Sequence, residues 1–298
     1  PVPSPFNNHF QVRSGKINLS VHTCGNPQNP TMILVHGYPD NHRVWSKVAA
    51  NLMQDFHVVA YDVRGCGSSD APRRIRDYAL PLLSQDLVAV MDAVSPDRPV
   101  HLAAHDWGSI QTWESVTEPA LQDRIATYTT LSGPCLDHVG MLMRHLMMNP
   151  TPDNLAKLAG QAAHSWYIYL FQLPVIAPTL WKTVLGKKWD ELLVKLEGIQ
   201  STPEANPTQL RDGVNGINLY RANMLQRLSN PRERHSRVPV QLLVAKGDNF
   251  VTPQVLERQE IWAPDLTTVE VDGGHWQLLL DHPDTFADAV RAFIQARS

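Results

Sequence analysis

Cysteine, charge of one sign and long apolar runs are all scarce in this chain, and each scarcity removes a class of protein. Three cysteines in 298 residues, Cys24, Cys66 and Cys135, are too few and odd in number for a disulfide framework, which fits a reducing, cytoplasmic setting. A formal net charge of −3, with both signs mixed along the chain, gives no electrostatic reason to expect nucleic acid or a polyanionic substrate. No stretch approaches the roughly 18 consecutive apolar residues of a membrane span, and no charged-then-apolar leader opens the sequence. GCGSSD lacks the lysine and spacing of a phosphate loop, and Cys, His and Asp nowhere take metal-ligand spacing, so neither metal nor cofactor is expected.

What is present is a composition 43% apolar and 18% charged, that of an ordinary globular chain. TMILVHG, FHVVAYD, RPVHLAAHD, IATYTTLSG and VPVQLLVAKGD each place strand-forming residues before a loop, as buried parallel strands do. FQVRSG and INLSVHT read as a hairpin at the sheet edge. Between strands, LPLLSQDLVAVMDAV sets Leu83, Leu87, Val90, Met91 and Val94 on one helical face. The pattern predicts a doubly wound, mostly parallel α/β sheet. From Gly133 to Asn230 the rhythm becomes helical, so residues 1–133 and 231–298 are expected to form the core and 134–230 an inserted helical cap over the carboxyl ends of the strands.

HLAAHDWGSI, residues 101 to 110, has the small residues of a tight strand-to-helix turn, with Asp106 at the exposed position. A lone aspartate there would usually cap the helix. Asp248 in VAKGD and His275 in VDGGHW, each just after a strand, complete the order nucleophile, acid, histidine. The amides of Tyr38, in the loop His36-Gly37-Tyr38-Pro39, and of Trp107 are placed to form an oxyanion hole.

These motifs resemble the α/β-hydrolase superfamily, and within it the branch with an aspartate nucleophile, the epoxide hydrolases and haloalkane dehalogenases. HGYP is similar to that branch's oxyanion motif, in which the proline is commonly cis, and HDWG to its nucleophile motif. RGCGSSD resembles a structural loop of the family. The aspartate suits the chemistry: attack at saturated carbon leaves an ester that His275, oriented by Asp248, can help water cleave, whereas serine would leave an ether.

An epoxide oxygen needs a proton as the ring opens, whereas a halide needs only N–H donors. The segments SWYIYLFQ and INLYRANM resemble the cap motifs that supply the tyrosine pair of soluble-type epoxide hydrolases, which implies Tyr167 and Tyr220 as proton donors. Tyr169 lies about 200° from Tyr167 on a helix, so only one can face the site, and the FQ pair sets the register at Tyr167. His105 is usual before the nucleophile in epoxide hydrolases, and Trp107 occurs in both branches. Trp107 in place of arginine speaks against a fluoroacetate dehalogenase.

The Met-rich run VGMLMRHLMMNP could line a pliable lipophilic pocket or simply pack, and LWKTVLGKKW reads as a solvated basic helix end rather than a membrane contact. The expected partners are a small lipophilic epoxide and water. Dimerisation through the cap and a fused domain beyond Ser298 stay open. The competing readings are a haloalkane dehalogenase and a non-catalytic binder of lipophilic ligands on the same fold.

Overall fold

In the computed structural model, which describes residues 3–298, eight strands form one sheet in the order β1-β2-β4-β3-β5-β6-β7-β8. The strands are β1 (Asn8–Ser14), β2 (Ile17–Cys24), β3 (Thr31–Val35), β4 (His57–Tyr61), β5 (Val100–His105), β6 (Ile125–Leu131), β7 (Val240–Ala245) and β8 (Leu266–Val271). β1 and β2 form the antiparallel hairpin at one edge, β2 pairs antiparallel with β4, and every later pairing is parallel. Period-two alternation splits the core into two layers. Ile33, Val35, Val59 and Tyr61 join the apolar cluster on one face, and Met32, Leu34, Val58 and Ala60 that on the other.

The helices are α1 (Ser46–Leu52), α2 (Leu80–Val94), α3 (Trp107–Val116), α4 (Leu136–Met148), α5 (Pro152–His164), α6 (Trp166–Phe171), α7 (Ile176–Leu180), α8 (Trp189–Glu197), α9 (Gln209–Ser229), α10 (Gln277–Leu280) and α11 (Pro283–Gln295). α2 and α3 contribute to the first cluster; α1 and α11 cover the opposite face. α11 buries Phe286, Ala287, Val290 and Phe293, a spacing of one helical stripe.

The segment between β6 and β7 holds α4 to α9 and, among the described residues, no strand. α9 bolts this segment to the loops that leave the carboxyl ends of β3 and β4. Tyr38 Oη donates to the Gly213 carbonyl (2.9 Å), Asn215 Nδ2 to the Gly65 carbonyl (2.8 Å), and the Gly67 amide to Asp212 (3.0 Å). Asn223 accepts from the Leu80 amide and donates to the Tyr78 carbonyl, both at 2.9 Å. Buried amides and carbonyls on one side of α9 thus find partners across the junction, which fixes its height above the sheet.

Candidate active site

Asp106 ends β5 and precedes the first residue of α3, with φ 55° and ψ −126°. A side chain at positive φ is strained by about 1–3 kcal/mol and persists only where its surroundings enforce it. They do so by close approach. A methyl group on Gly37 would stand 2.5 Å from Asp106 Cβ and 2.6 Å from its Oδ2, and one on Gly108 would collide with the Val35 carbonyl. Although Asp106 occupies the helix N-cap position, its side chain makes no capping hydrogen bond. Its two oxygens face the site: Oδ2 accepts the Tyr38 amide at 2.8 Å and Oδ1 meets His275 Nε2 at 2.9 Å.

His275, in the loop after β8, meets Asp248 Oδ2 through Nδ1 at 2.8 Å. The other Asp248 oxygen accepts the amides of Phe250 (2.8 Å) and Val251 (2.9 Å). All three residues are buried. Burial disfavours the charged imidazole, but Asp248 and Asp106 outweigh it and hold the His275 pKa well above its ordinary value. Burial likewise opposes both carboxylates, and the contact with His275 nonetheless keeps Asp106 and Asp248 below the usual range. Both ring nitrogens are therefore donors, and the resting site is an imidazolium between two carboxylates.

The remaining motif residues hold this geometry. Val63 N donates to His36 Nε2 at 2.9 Å, so His36 carries its proton on Nδ1 and donates to the Gly37 carbonyl at 2.9 Å. His105 Nε2 meets the His275 carbonyl at 2.7 Å. Burial pushes His36 and His105 down to about 4, so both are neutral supports rather than acids or bases. The Tyr38–Pro39 peptide is cis. Trp107 is the first residue of α3, so its amide has no carbonyl within the helix to bond.

Above Asp106 lies a cavity of about 150 Å³ lined by Asp106, Trp107, Tyr167 and Tyr220 and extended by apolar side chains of α4, α5 and α9. The Tyr167 and Tyr220 rings are 6.1 Å apart, and Tyr220 lies 5.1 Å from the Trp107 ring. Burial, reinforced by the negative charge of Asp106, raises both phenols and keeps them protonated. The Tyr167 hydroxyl donates to the Phe250 carbonyl over a long 3.3 Å. Tyr169, 63% exposed, stands at the outer wall. Of the methionines in the Met-rich run only Met143 lines the cavity, beside Val139, Leu142 and Leu146 of the same run, whereas Met147 and Met148 point to solvent. Burial raises the Cys135 thiol to about 12; its neighbours Pro134 and Leu136 line the cavity and it does not.

Three contributors carry no motif that singled them out. Phe250 supplies an amide to Asp248, a carbonyl to Tyr167 and a ring 5.4 Å from His275. Asp40, one residue past HGYP, accepts the Trp276 indole N–H at 2.9 Å and is pushed up to about 7 by burial, against that hydrogen bond. Glu197, at the end of α8, is buried beside the histidine loop with the Trp276 amide 3.5 Å away. Nothing local in the sequence marks Glu197, because only the tertiary fold brings α8 to that loop.

Elsewhere, His22, His42 and Asp62 bring ligand-type atoms within 4.8 Å of one another. The two imidazoles stack at 3.5 Å and 10°. Lone pairs in parallel planes cannot converge on one ion, and His42 Nδ1 is already 2.7 Å from Asp62. The cluster fits a hydrogen-bonded support for the loop after β4 rather than a metal.

The family profile described as alpha/beta hydrolase fold matches residues 30–282. The chain is 33% identical over 286 residues to the probable oxidoreductase EphD of Mycobacterium tuberculosis, covering 93% of this chain and 48% of that protein. It thus spans about half the length of that curated relative. Over 305 residues it is 26% identical to epoxide hydrolase 3 of Xenopus tropicalis, covering 96% of this chain and 77% of that one. Among solved structures, an inhibitor complex of the Bacillus megaterium epoxide hydrolase superposes with a TM-score of 0.77 at 21% identity, over 96% of this chain and all of that chain. That likeness speaks for the fold.

Proposed function

Because the chain belongs to the α/β-hydrolase fold family, we propose that it hydrolyses lipophilic epoxides to vicinal diols through an ester on Asp106. The observation that carries this reading is the joint lining of one cavity by Asp106 and the two protonated phenols, Tyr167 and Tyr220. An Asp106 oxygen attacks an epoxide carbon, the C–O bond breaks, and the oxygen takes a proton from the tyrosine pair. Tyr167 reaches the substrate oxygen by giving up its long bond to the Phe250 carbonyl. With the Asp106 charge gone, His275 passes its Nε2 proton to the tyrosinate; water then attacks the ester carbonyl as the now neutral His275 takes its proton, and the Tyr38 and Trp107 amides hold the oxyanion. Collapse releases the diol, whose new hydroxyl takes the proton from His275. The proton of the regenerated carboxylic acid passes to His275 and restores the imidazolium. Residues 134–230 act as the cap that supplies the tyrosines and the apolar wall.

One observation favours a second reading, a haloalkane dehalogenase: the buried Trp107 indole N–H beside Asp106 has no partner and could hold a halide. The indoles of Trp45, Trp113, Trp181 and Trp189 are equally unpartnered, which weakens that argument. Product analysis on aryl or fatty epoxides and on terminal haloalkanes separates the two. Diol formation lost in Asp106→Asn and slowed about 10²–10³-fold in Tyr167→Phe or Tyr220→Phe is expected. Halide release indifferent to either tyrosine would establish the dehalogenase instead. Ligand binding without any turnover would leave only a binding protein.

A further inference from the structure

From Asn154 to Trp189 the chain contains no aspartate or glutamate, while Lys157, Lys182, Lys187 and Lys188 all fall inside that stretch. Lys157 pairs with Asp153 and Glu257, but Lys182, Lys187 and Lys188 are exposed and carry no ion pair among the described residues. The chain just before Lys182 carries an unusual surface. Trp166 (64% exposed) and Tyr169 sit three residues apart on one face of α6, and the following turn and start of α7 expose Leu173, Val175 (71%) and Ile176. Large apolar side chains grouped in this way mark an interaction site.

We propose that this face of α6 and α7 docks on the surface of a bilayer containing anionic lipid. Trp and Tyr favour the boundary between headgroups and acyl chains, Val and Ile insert shallowly, and the unpaired lysines that follow the patch in the chain are drawn to anionic headgroups. The contact is superficial, because among the described residues no helix is long and apolar enough to cross a membrane. A symmetric pairing with a second copy fits less well, since a two-fold axis through the patch would bring the unpaired lysines of both copies together. The sequence alone reads LWKTVLGKKW as a solvated helix end; the apolar face exposed just before it changes that reading.

The patch is continuous with the cavity mouth. Ala162 and Tyr169 are exposed and also line the cavity that ends at Asp106. A lipophilic substrate dissolved in the bilayer could then enter without crossing water, a consequence that rests on the epoxide-hydrolase reading, whereas the docking itself does not.

The test is flotation of the chain with phosphatidylcholine vesicles, with and without phosphatidylglycerol, beside hydrolysis of a freely water-soluble epoxide. Wild type is expected to float with the anionic vesicles and to be released by salt. Replacing Lys182, Lys187 and Lys188 by alanine is expected to weaken that binding about a hundredfold, and Trp166→Asp with Val175→Asp to abolish it, with hydrolysis of the soluble epoxide unchanged. Absence of flotation, or flotation indifferent to both variants, overturns the proposal. So does a dimer in size-exclusion chromatography that Trp166→Asp splits while vesicles bind nothing. Flotation without any epoxide turnover would keep the docking surface and remove the epoxide reading.

Discussion

At the scale of single residues, His275 lies between two buried carboxylates that raise its pKa, and the proposed reaction changes those surroundings. In the proposed route, forming the ester removes the negative charge of Asp106, which is one of the two charges raising His275. The histidine pKa then falls and a neutral base becomes available when water must be activated. Ester formation needs ionised Asp106, whose pKa lies below the ordinary range. In stopped-flow fluorescence the alkylation phase is therefore expected to persist as pH falls below about 4. The hydrolysis phase should lose rate at a higher pH, as His275 of the ester is protonated. Two phases titrating together would contradict this assignment. Asp106 and His275 were legible in the sequence because each follows a strand inside a recognisable motif. Asp40 and Glu197 were not, because their part comes from burial beside Trp276.

At the scale of elements, α9 does more than cover the sheet. Gly216 lies against the Tyr38 ring, so closely that a methyl group would stand 2.5 Å from Tyr38 Cδ2, and Tyr38 Oη is anchored to Gly213. Gly216→Ala is expected to push Tyr38, and with it the oxyanion amide, lowering kcat about tenfold at a stability cost of about 1–3 kcal/mol. Steady-state kinetics with a melting curve checks this; unchanged kcat would show that the Tyr38 amide does not depend on α9. The strands and α2 were readable because apolar periodicity reports burial directly. The part played by the methionines of α4 was not, since helical spacing alone does not say which wall a residue joins: Val139, Leu142 and Leu146 reach the cavity, but of the methionines only Met143 does.

At the scale of the whole molecule, buried ion pairs set the response to pH and mutation. Arg64 grips Asp86 with two hydrogen bonds of 2.7 Å, and Ser14 from the edge strand β1 adds a third at 2.6 Å. Asp86→Ala leaves the buried guanidinium uncompensated and is expected to cost about 3–5 kcal/mol, read as a lowered Tm. A loss under about 1 kcal/mol would mean that the pair is locally replaceable. In the triad, the lowered pKa values of Asp106 and Asp248 give stability that is present above about 4 and lost as pH falls through the folded values. The raised His275 gives stability that is whole below about 6.5 and lost as pH rises through its folded value. A Tm profile highest between those limits and flattened in His275→Gln is expected; an unchanged profile would contradict the charged triad. The α/β layering was legible because strands and helices alternate in sequence, whereas the height of α9 above the sheet depends on hydrogen bonds between residues more than a hundred positions apart.

The most direct test of the covalent route is a single turnover of excess enzyme with an epoxide in ¹⁸O-labelled water, followed by mass spectrometry of the diol and of the peptide containing Asp106. The ester route places the label in the Asp106 carboxylate and leaves the first diol unlabelled, because both of its oxygens come from the epoxide and the enzyme. Label in the first diol with none in Asp106 would mean that water opens the ring directly and that Asp106 is no nucleophile.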